Sequence, residues 1–156
     1  MTVKAIPDGF HSITPYLVAK GASAALGFYQ RAFGAEKTLV LSTPDGSVAH
    51  AEMKIGNSFF MLTDEYPEMG FLSPETLGGS GVSLMIYTEN VDAYFANAIS
   101  AGAVELRPVI DQFYGDRAGT LKDPYGHVWT IATHKEELTE KELVERMQTV
   151  INQSEE

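Results

Sequence analysis

The sequence predicts an α+β fold in which two βαβββ modules form one mixed half-barrel sheet with the helices outside. The first observation behind this prediction is an internal repeat, because a shift of 68 positions brings residues 25–35 onto residues 93–103. The second is that the turns at Gly56 and Pro124 coincide under the same shift. Each copy is too short to bury a sheet alone, so the two copies are expected to share one core.

Module one is predicted at about 12–65. It opens with a strand at 12–19, which is rich in β-forming residues, and continues with a helix from Gly21 to Phe33. Gly34 is well placed to end that helix in the left-handed conformation. Three strands joined by tight turns complete the module, at about 37–44, 48–56 and 58–65.

A connection of residues 66–81 joins the modules and is long for a loop within a compact domain. It carries apolar side chains that we expect to pack on the protein, and it is either a mobile linker or a functional flap. Module two is predicted at about 82–134. Its elements are a strand, a helix capped by Asn90 and three more strands, at about 82–88, 90–101, 104–112, 117–122 and 127–133.

The C-terminal segment predicts one further helix at about 139–151, so that residues 1–156 make a single domain. Thr139 and Glu142 have the spacing of a capping box. An apolar stripe follows on one face, formed by Leu143, Val144, Met147, Val150 and Ile151. A helix outside the repeat must bury such a stripe on its own domain or on a partner subunit.

The composition argues against several classes of function. The net charge of −10 makes nucleic acid and anionic membrane surfaces poor partners. The chain has no cysteine, which excludes disulfides, thiolate metal sites and cysteine nucleophiles. No apolar stretch approaches the ~20 residues of a membrane span, and the N-terminus lacks the apolar core of a signal peptide. We therefore expect a cytoplasmic protein with neither nucleic-acid nor membrane partners.

Three motifs carry a family resemblance: Ile13 to Val18, Phe28 to Ala35 and Asp123 to His127. Together they resemble the glyoxalase, bleomycin-resistance and extradiol-dioxygenase superfamily, also called vicinal oxygen chelate. Three further segments are similar to its PhnB-like branch, namely 50–52, 57–65 and 111–117. The resemblance covers about residues 6–134 and implies paired modules and a homodimer. It implies no single activity, because this architecture hosts lyases, dioxygenases, epimerases and drug-binding proteins.

The resemblance also tells where a metal would be held, on the first and fourth strands of each copy. The residues at those positions are Thr14, Met61, Ser83 (or its neighbour Val82) and Thr130. None of these side chains supplies the nitrogen or carboxylate ligands that a divalent ion needs. We therefore expect neither a metal nor another cofactor.

A two-residue turn at Gly56-Asn57 predicts the pairing of the strands that flank it. Glu52 then faces Met61, and His50 lies on the same face two residues away, at ~6.5–7 Å between Cα atoms. A histidine beside a carboxylate suits acid–base chemistry, so His50 and Glu52 are the candidate catalytic residues. The alternative interpretation is that these polar side chains simply line a solvated groove.

A small molecule is expected to bind between the modules. Arg117 either clamps an anionic group of that ligand or forms an ion pair with Asp111, Asp116 or Glu105. Trp129 is expected to face the helices. The predicted ligand-binding residues are Tyr16, His50, Glu52, Met61, Met85, Tyr114, Arg117 and Thr130.

Three functions remain open at this point. The missing metal ligands favour a metal-independent small-molecule-binding protein of the glyoxalase and bleomycin-resistance type. The second function is that of a glyoxalase-like lyase or isomerase that uses His50 and Glu52 as acid and base. Whether the protein is an enzyme therefore stays open. The third is a non-catalytic structural or interaction protein with a filled cleft. A homodimer is expected, because the 66–81 connection and the 139–151 helix both offer apolar surface.

Overall fold

A computed structural model describes residues 2–156. The strands are β1 (Tyr16–Ala19), β2 (Glu36–Ser42), β3 (Val48–Ile55), β4 (Ser58–Asp64), β5 (Ser83–Tyr87), β6 (Val104–Asp111), β7 (Asp116–Lys122) and β8 (Val128–His134). The helices are α1 (Ala22–Phe33), α2 (Pro74–Leu77), α3 (Val91–Ala101) and α4 (Glu140–Ser154), with a 3₁₀ turn at Pro67–Met69. The α+β class, the strand–helix–three-strand order of both modules and the C-terminal helix are confirmed.

The half-barrel expected from the sequence is built from two four-stranded mixed sheets, one in each module. Their strand orders are β1-β4-β3-β2 and β5-β8-β7-β6. The modules meet through the packing of α1 on α3 and through side chains. At one such contact, the Nε2–H of His127 donates to the backbone carbonyl of Val18 at 2.9 Å. His127 thus has a structural role at the contact between the modules.

β1 begins at Tyr16, later than the predicted start at residue 12. The carbonyl of Pro15 accepts the N–H of Met61 at 2.8 Å, but Pro15 has no N–H with which to continue the ladder. Thr14 therefore lies before the strand, and its hydroxyl donates to the carbonyl of His11 at 3.4 Å.

The two faces of the first sheet differ in burial. Leu17, Met53 and Leu62 lie on the face that packs under α1 and are at most 6% exposed. The alternate residues point away from the helices, and we call this side the open face. Met61 pairs with Tyr16 on one side and with Glu52 on the other, so the three residues form a row on the open face. The predicted register of Glu52 opposite Met61 is confirmed.

A buried carboxylate connects the cores of the two modules. Asp123 is 3% exposed, and its Oδ2 accepts the Tyr29 hydroxyl at 2.6 Å and the Trp129 Nε1–H at 2.9 Å. Its Oδ1 accepts the backbone N–H groups of Tyr125 and His127 at 2.8 and 3.0 Å. Burial and the nearby Asp123 charge raise the pKa of Tyr29 well above its ordinary value. Trp129 faces the helices, as expected.

Two glycines provide a test of this packing. A Cβ on Gly119 of β7 would lie 2.7 Å from Val109 Cγ2 and 3.0 Å from the Val109 backbone nitrogen. We expect Gly119→Ala to lower the free energy of unfolding by about 1–3 kcal/mol, because the strands must shift. A Cβ on Gly27 would meet only the flexible end of Arg31, so Gly27→Ala should raise that free energy by about 0.5–1 kcal/mol. Urea denaturation measures both, and a neutral Gly119→Ala would contradict the packing described.

The C-terminal helix has the predicted capping box but leaves its apolar stripe uncovered. The Glu142 carboxylate accepts the Thr139 N–H at 2.8 Å, and the Thr139 hydroxyl accepts the Glu142 N–H at 3.2 Å. Arg146 fastens α4 to the domain by donating to Glu136 at 2.8 Å and to the carbonyl of Phe113 at 3.2 Å. No residue of α4 is buried. The single chain therefore does not provide the covering surface that the stripe requires.

Candidate functional site

Three polar side chains of the open face form a hydrogen-bonded chain. Nδ1 of His50 lies 2.7 Å from the Tyr16 hydroxyl oxygen, and Nε2 of His50 lies 3.2 Å from Oε1 of Glu52. A carboxylate can only accept a hydrogen bond, so Nε2 carries the imidazole proton in the contact with Glu52. Nδ1 then accepts the proton of the Tyr16 hydroxyl. Tyr16, predicted from the sequence as a ligand-binding residue, thus joins His50 and Glu52 as a polar group.

The hydrogen-bonded chain can be reached from solvent. The side chains of His50 and Glu52 are 24% and 22% exposed, and Tyr16 is 44% exposed. Partial desolvation and, secondly, the negative charge of Glu52 raise the pKa of Tyr16 above its ordinary value. Tyr16 is therefore a neutral phenol at neutral pH. Because its hydrogen is directed at His50, its oxygen faces an incoming molecule as an acceptor.

Apolar side chains flank this polar chain. Met61 lies between Tyr16 and Glu52 in the strand register. The ring of Phe71 lies 6.4 Å from the ring of Tyr16 with an angle of 18° between their planes, in a stacked arrangement. A ligand with a flat apolar body can use both Met61 and Phe71 for contact.

Phe71 belongs to the 66–81 connection, which is an ordered segment of the domain. Tyr66 and Phe71 exchange two backbone hydrogen bonds of 2.9 and 3.1 Å across the short 3₁₀ turn. Phe71 is one of the apolar side chains of this connection and is not among the ligand-binding residues predicted from the sequence. Pro67 and Gly70 were the signal that the chain reverses here and returns Phe71 to the sheet.

The predicted residues of module two lie in the second sheet. Met85 pairs with Thr130, the same arrangement as Tyr16 with Met61 in the first sheet. The Thr130 and Thr120 hydroxyl oxygens are 3.1 Å apart. Tyr114 lies in the turn between β6 and β7, is 39% exposed and makes an edge contact with Phe113.

A cavity of about 360 Å³ lies between the modules, beside the start of β4 and along the edge strand β5. It is lined by His11, Ile13, Pro15, the segments 55–60 and 84–87, and Trp129. Of the predicted ligand-binding residues, this lining includes Met85 but neither His50 nor Glu52. The cavity and the polar chain of the open face are thus separate places in the monomer.

Arg117 lies on the helix-bearing side of the second sheet. On β7 it lies on the same face as Leu121, which is fully buried, and it faces α3 rather than a ligand. Its Nε and Nη2 donate to the two carboxylate oxygens of Asp92, both at 2.9 Å, and Nη1 donates to Asp111 at 3.2 Å. The structure thus favours the ion-pair interpretation, with Asp92 as a partner that the sequence did not indicate, and we leave Arg117 out of the site.

Comparison with known proteins shows the family of this chain. The family model of the Glyoxalase/Bleomycin resistance protein/Dioxygenase superfamily matches residues 9–131. The chain belongs to this superfamily. An uncharacterized protein of Mycobacterium tuberculosis strain H37Rv is 35% identical over 135 residues, which cover 85% of this chain and 79% of that protein. The superfamily resemblance read from the sequence is thereby confirmed.

Solved structures of the superfamily share the fold. The X-ray structure of the Arabidopsis thaliana gene product At5g48480 has a TM-score of 0.64 at 28% identity, covering 79% of this chain and 98% of that one. A PhnB protein from Bacillus cereus, described as a putative 3-demethylubiquinone-9 3-methyltransferase, has a TM-score of 0.62 at 24% identity. It covers 79% of this chain and 99% of the other, and at that identity the likeness concerns the fold alone.

The positions at which the resemblance implies metal ligands do not fit a divalent ion in this chain. The side chains there are those of Thr14, Met61, Ser83 and Thr130, which offer hydroxyl and thioether groups instead of nitrogen or carboxylate ligands. Among residues 2–156, no three His, Asp or Glu side chains are placed so that they could hold a metal together. Within the same residues, no helix is long and apolar enough to cross a membrane.

A second polar cluster lies at the end of the second sheet. Asp116, with a side chain only 5% exposed, accepts the Tyr87 hydroxyl at 2.9 Å and Nδ1 of His134 at 2.7 Å. Nε2 of His134 lies 3.1 Å from Glu137. Hydrogen bonds to Asp116 and Glu137 raise the pKa of His134 above its ordinary value. Only protonated His134 can donate to both carboxylates.

This cluster predicts a pH dependence of stability. The pKa of His134 is raised in the folded protein, so protonated His134 stabilises the folded state. This stabilisation is fully present below the unfolded pKa of about 6.5 and is lost as the pH rises through the folded pKa. The stability difference between wild type and His134→Gln should therefore be largest near pH 6 and shrink at higher pH. Thermal unfolding across this range measures it. A difference that grows with pH would contradict the assignment.

Proposed function

We propose that this protein is a metal-independent small-molecule-binding protein whose site is the open face of the first sheet around Tyr16. The observation that carries the proposal is the Tyr16–His50–Glu52 chain, which is solvent-accessible and set between Met61 and Phe71. Polar groups in a fixed arrangement among apolar side chains give a ligand both orientation and contact area. Membership of the superfamily supports small-molecule binding or catalysis in general terms.

The charge of the site restricts the class of ligand. Glu52 lies in the hydrogen-bonded chain, and the whole protein carries a net charge of −10, so an anionic ligand meets an unfavourable field. Neutral or cationic aromatic molecules fit better, because their rings can pack against Phe71 and Met61.

Acid–base catalysis is the second candidate, and the same hydrogen-bonded chain favours it. In this version the protein is a lyase or isomerase in which the chain that contains His50 and Glu52 moves a proton. The exposure of Tyr16 argues against the third possibility, a filled cleft. Catalysis and binding differ in the effect of His50→Ala, which reduces a rate far more than an affinity if the role is catalytic.

A fragment screen tests the binding proposal. Neutral and cationic aromatic fragments are screened by thermal shift and ligand-observed NMR, once with a chelator and once with divalent ions. We expect binding in both conditions and a loss of at least about tenfold in affinity for Tyr16→Ala, which removes hydroxyl and ring contacts. Leu77→Ala, at a 63% exposed position, is the control. Binding that requires a divalent ion, or that Tyr16→Ala leaves intact, would refute the proposal.

We also propose that the protein is a homodimer in which a second copy covers the apolar stripe of α4. Val144 and Met147 are 53% and 42% exposed, and exposed apolar residues also lie on β2, β5 and β6. Surfaces of this kind favour self-association. The cytoplasmic location and the absence of nucleic-acid partners stay predictions from the sequence.

Light scattering provides the measurement of the oligomeric state. Wild-type protein at micromolar concentration should have about twice the 17.0 kDa mass of the chain. The double variant Val144→Glu, Met147→Glu should have the mass of one chain, because two buried charges at an interface are strongly unfavourable. A wild-type mass near 17.0 kDa would contradict the dimer.

A further inference from the structure

We propose that Tyr16, His50 and Glu52 form a proton relay that accepts the hydroxyl proton of a bound phenol or enol. This inference rests on the proposed binding site and names its ligand class. Tyr16 is the group that touches the ligand, whereas His50 and Glu52 act through it as positioning residues. The relay is metal-free and uses only side chains whose hydrogen bonds are already made before a ligand arrives.

The direction of the hydrogen bonds defines the proton transfer. The Tyr16 hydroxyl donates to Nδ1 of His50 at 2.7 Å, so its oxygen offers lone pairs to the hydroxyl of a ligand. When the ligand proton moves to the Tyr16 oxygen, the original Tyr16 proton moves to Nδ1 of His50. The products are a ligand oxyanion, a neutral Tyr16 and an imidazolium, and the total charge is unchanged.

Glu52 stabilises the charged form of the relay. Its Oε1 lies 3.2 Å from Nε2 of His50, so the imidazolium formed by the transfer has a hydrogen-bonded carboxylate as its counter-charge. The renewed Tyr16 hydroxyl can donate to the ligand oxyanion it has created. Tyr16 itself never becomes a phenolate, which agrees with the raised pKa that partial burial and Glu52 give it. The arrangement is comparable to a hydroxyl–histidine–carboxylate triad with a phenol in the hydroxyl position.

The side chains around Tyr16 favour a neutral phenol or enol as the class of ligand. A ligand that arrives as an anion meets Glu52 and an acidic protein, whereas a neutral ligand that ionises in place creates its own counter-charge on His50. Phe71, stacked on Tyr16, and Met61 give a flat conjugated body an apolar contact. Lys54 lies on the same face of β3 as His50 and Glu52. Its ammonium group is 5.5 Å from the centre of the Phe59 ring.

The first test needs no ligand. Nitrogen-15 NMR of the imidazoles should show His50 as the Nε2–H tautomer with an accepting Nδ1. Tyr16→Phe should shift the His50 Nδ1 resonance, because it removes that hydrogen bond. Tyr66→Phe removes a phenol of the neighbouring segment and should leave the resonance unchanged. A His50 in the Nδ1–H form would overturn the relay.

The second test uses a nitrophenol, whose colour reports whether it is ionised. The midpoint of its ionisation, the pH at which half of the nitrophenol is ionised, should be lower when it is bound to wild-type protein than in free solution. Tyr16→Phe and His50→Gln should abolish this effect, and Glu52→Gln should return the midpoint toward the free value by about one unit or more. Tyr66→Phe should behave like wild type.

The outcomes separate the relay from the proposed function. If aromatic fragments bind near Tyr16 while nitrophenol does not bind, or binds with an unshifted midpoint, the relay is wrong and the binding site stands. The relay is also wrong if Tyr16→Phe keeps a shifted midpoint, or if Glu52→Gln keeps the full shift of the wild type. If no fragment binds near Tyr16 at all, both the relay and the proposed site are wrong.

Discussion

Replacing Asp123 with alanine is expected to lower the free energy of unfolding by about 3–5 kcal/mol, the largest effect of any single change considered for this protein. Asp123 accepts four hydrogen bonds, two of them from the buried side chains of Tyr29 and Trp129. Each buried donor left without a partner costs about 1–3 kcal/mol. Because Tyr29 belongs to module one and Trp129 to module two, the loss should loosen the contact between the modules.

Urea denaturation followed by circular dichroism measures this effect. Asp8→Ala is the matched control, since the side chain of Asp8 is 82% exposed, and it should change the free energy by no more than about 0.5 kcal/mol. Asp123→Asn keeps the size of the side chain and one accepting oxygen, so it should fall between wild type and Asp123→Ala. An Asp123→Ala protein as stable as the control would show that the carboxylate does not hold the modules together.

Replacing Met61 with arginine is expected to weaken ligand binding by about 100-fold or more, equivalent to about 2.7 kcal/mol. Met61 lies between Tyr16 and Glu52 on the open face, so a long charged side chain there occupies the space of the ligand. Its guanidinium can also pair with Glu52 and disturb the bond from Glu52 to His50. The folded state should change little, because Met61 is only partly buried and points away from the core.

Met85→Arg is the comparison, because it places the same substitution on the open face of the second sheet, where Met85 pairs with Thr130 as Tyr16 pairs with Met61. We expect a smaller loss of affinity from it, since the polar chain belongs to the first sheet. Titration calorimetry with the tightest fragment of the screen gives both dissociation constants. Equal affinities for wild type and Met61→Arg would place the ligand outside the open face.

The fold followed from local signals that act over short stretches of the chain. The repeat, the two-residue turn at Gly56 and the spacing of Thr139 and Glu142 each specify a local geometry, and each was found where expected. The predicted start of β1 at residue 12 was wrong. Whether Pro15 ends the strand depends on which backbone atoms of β4 lie opposite it. A strand boundary of this kind is set by the pairing partner as much as by the strand itself.

The site was predictable only in part. His50 and Glu52 are neighbours on one strand, so alternation along β3 was sufficient to place them together. Tyr16 and His50 lie on strands separated by β4, and their hydrogen bond depends on side-chain directions that no sequence spacing encodes. The ion pair of Arg117 could not be predicted, because it depends on which face of β7 packs against α3. Its partner Asp92 lies on that helix.

The position of a bound ligand decides whether the open face of the first sheet is the binding site. A crystal structure with a fragment from the screen should show its ring against Met61 and Phe71, and one of its polar atoms within hydrogen-bonding distance of the Tyr16 oxygen. The 2.7 Å contact between Tyr16 and His50 should persist in that complex. A fragment seated instead in the cavity beside β4 and β5, with the open face of the first sheet empty, would contradict the account.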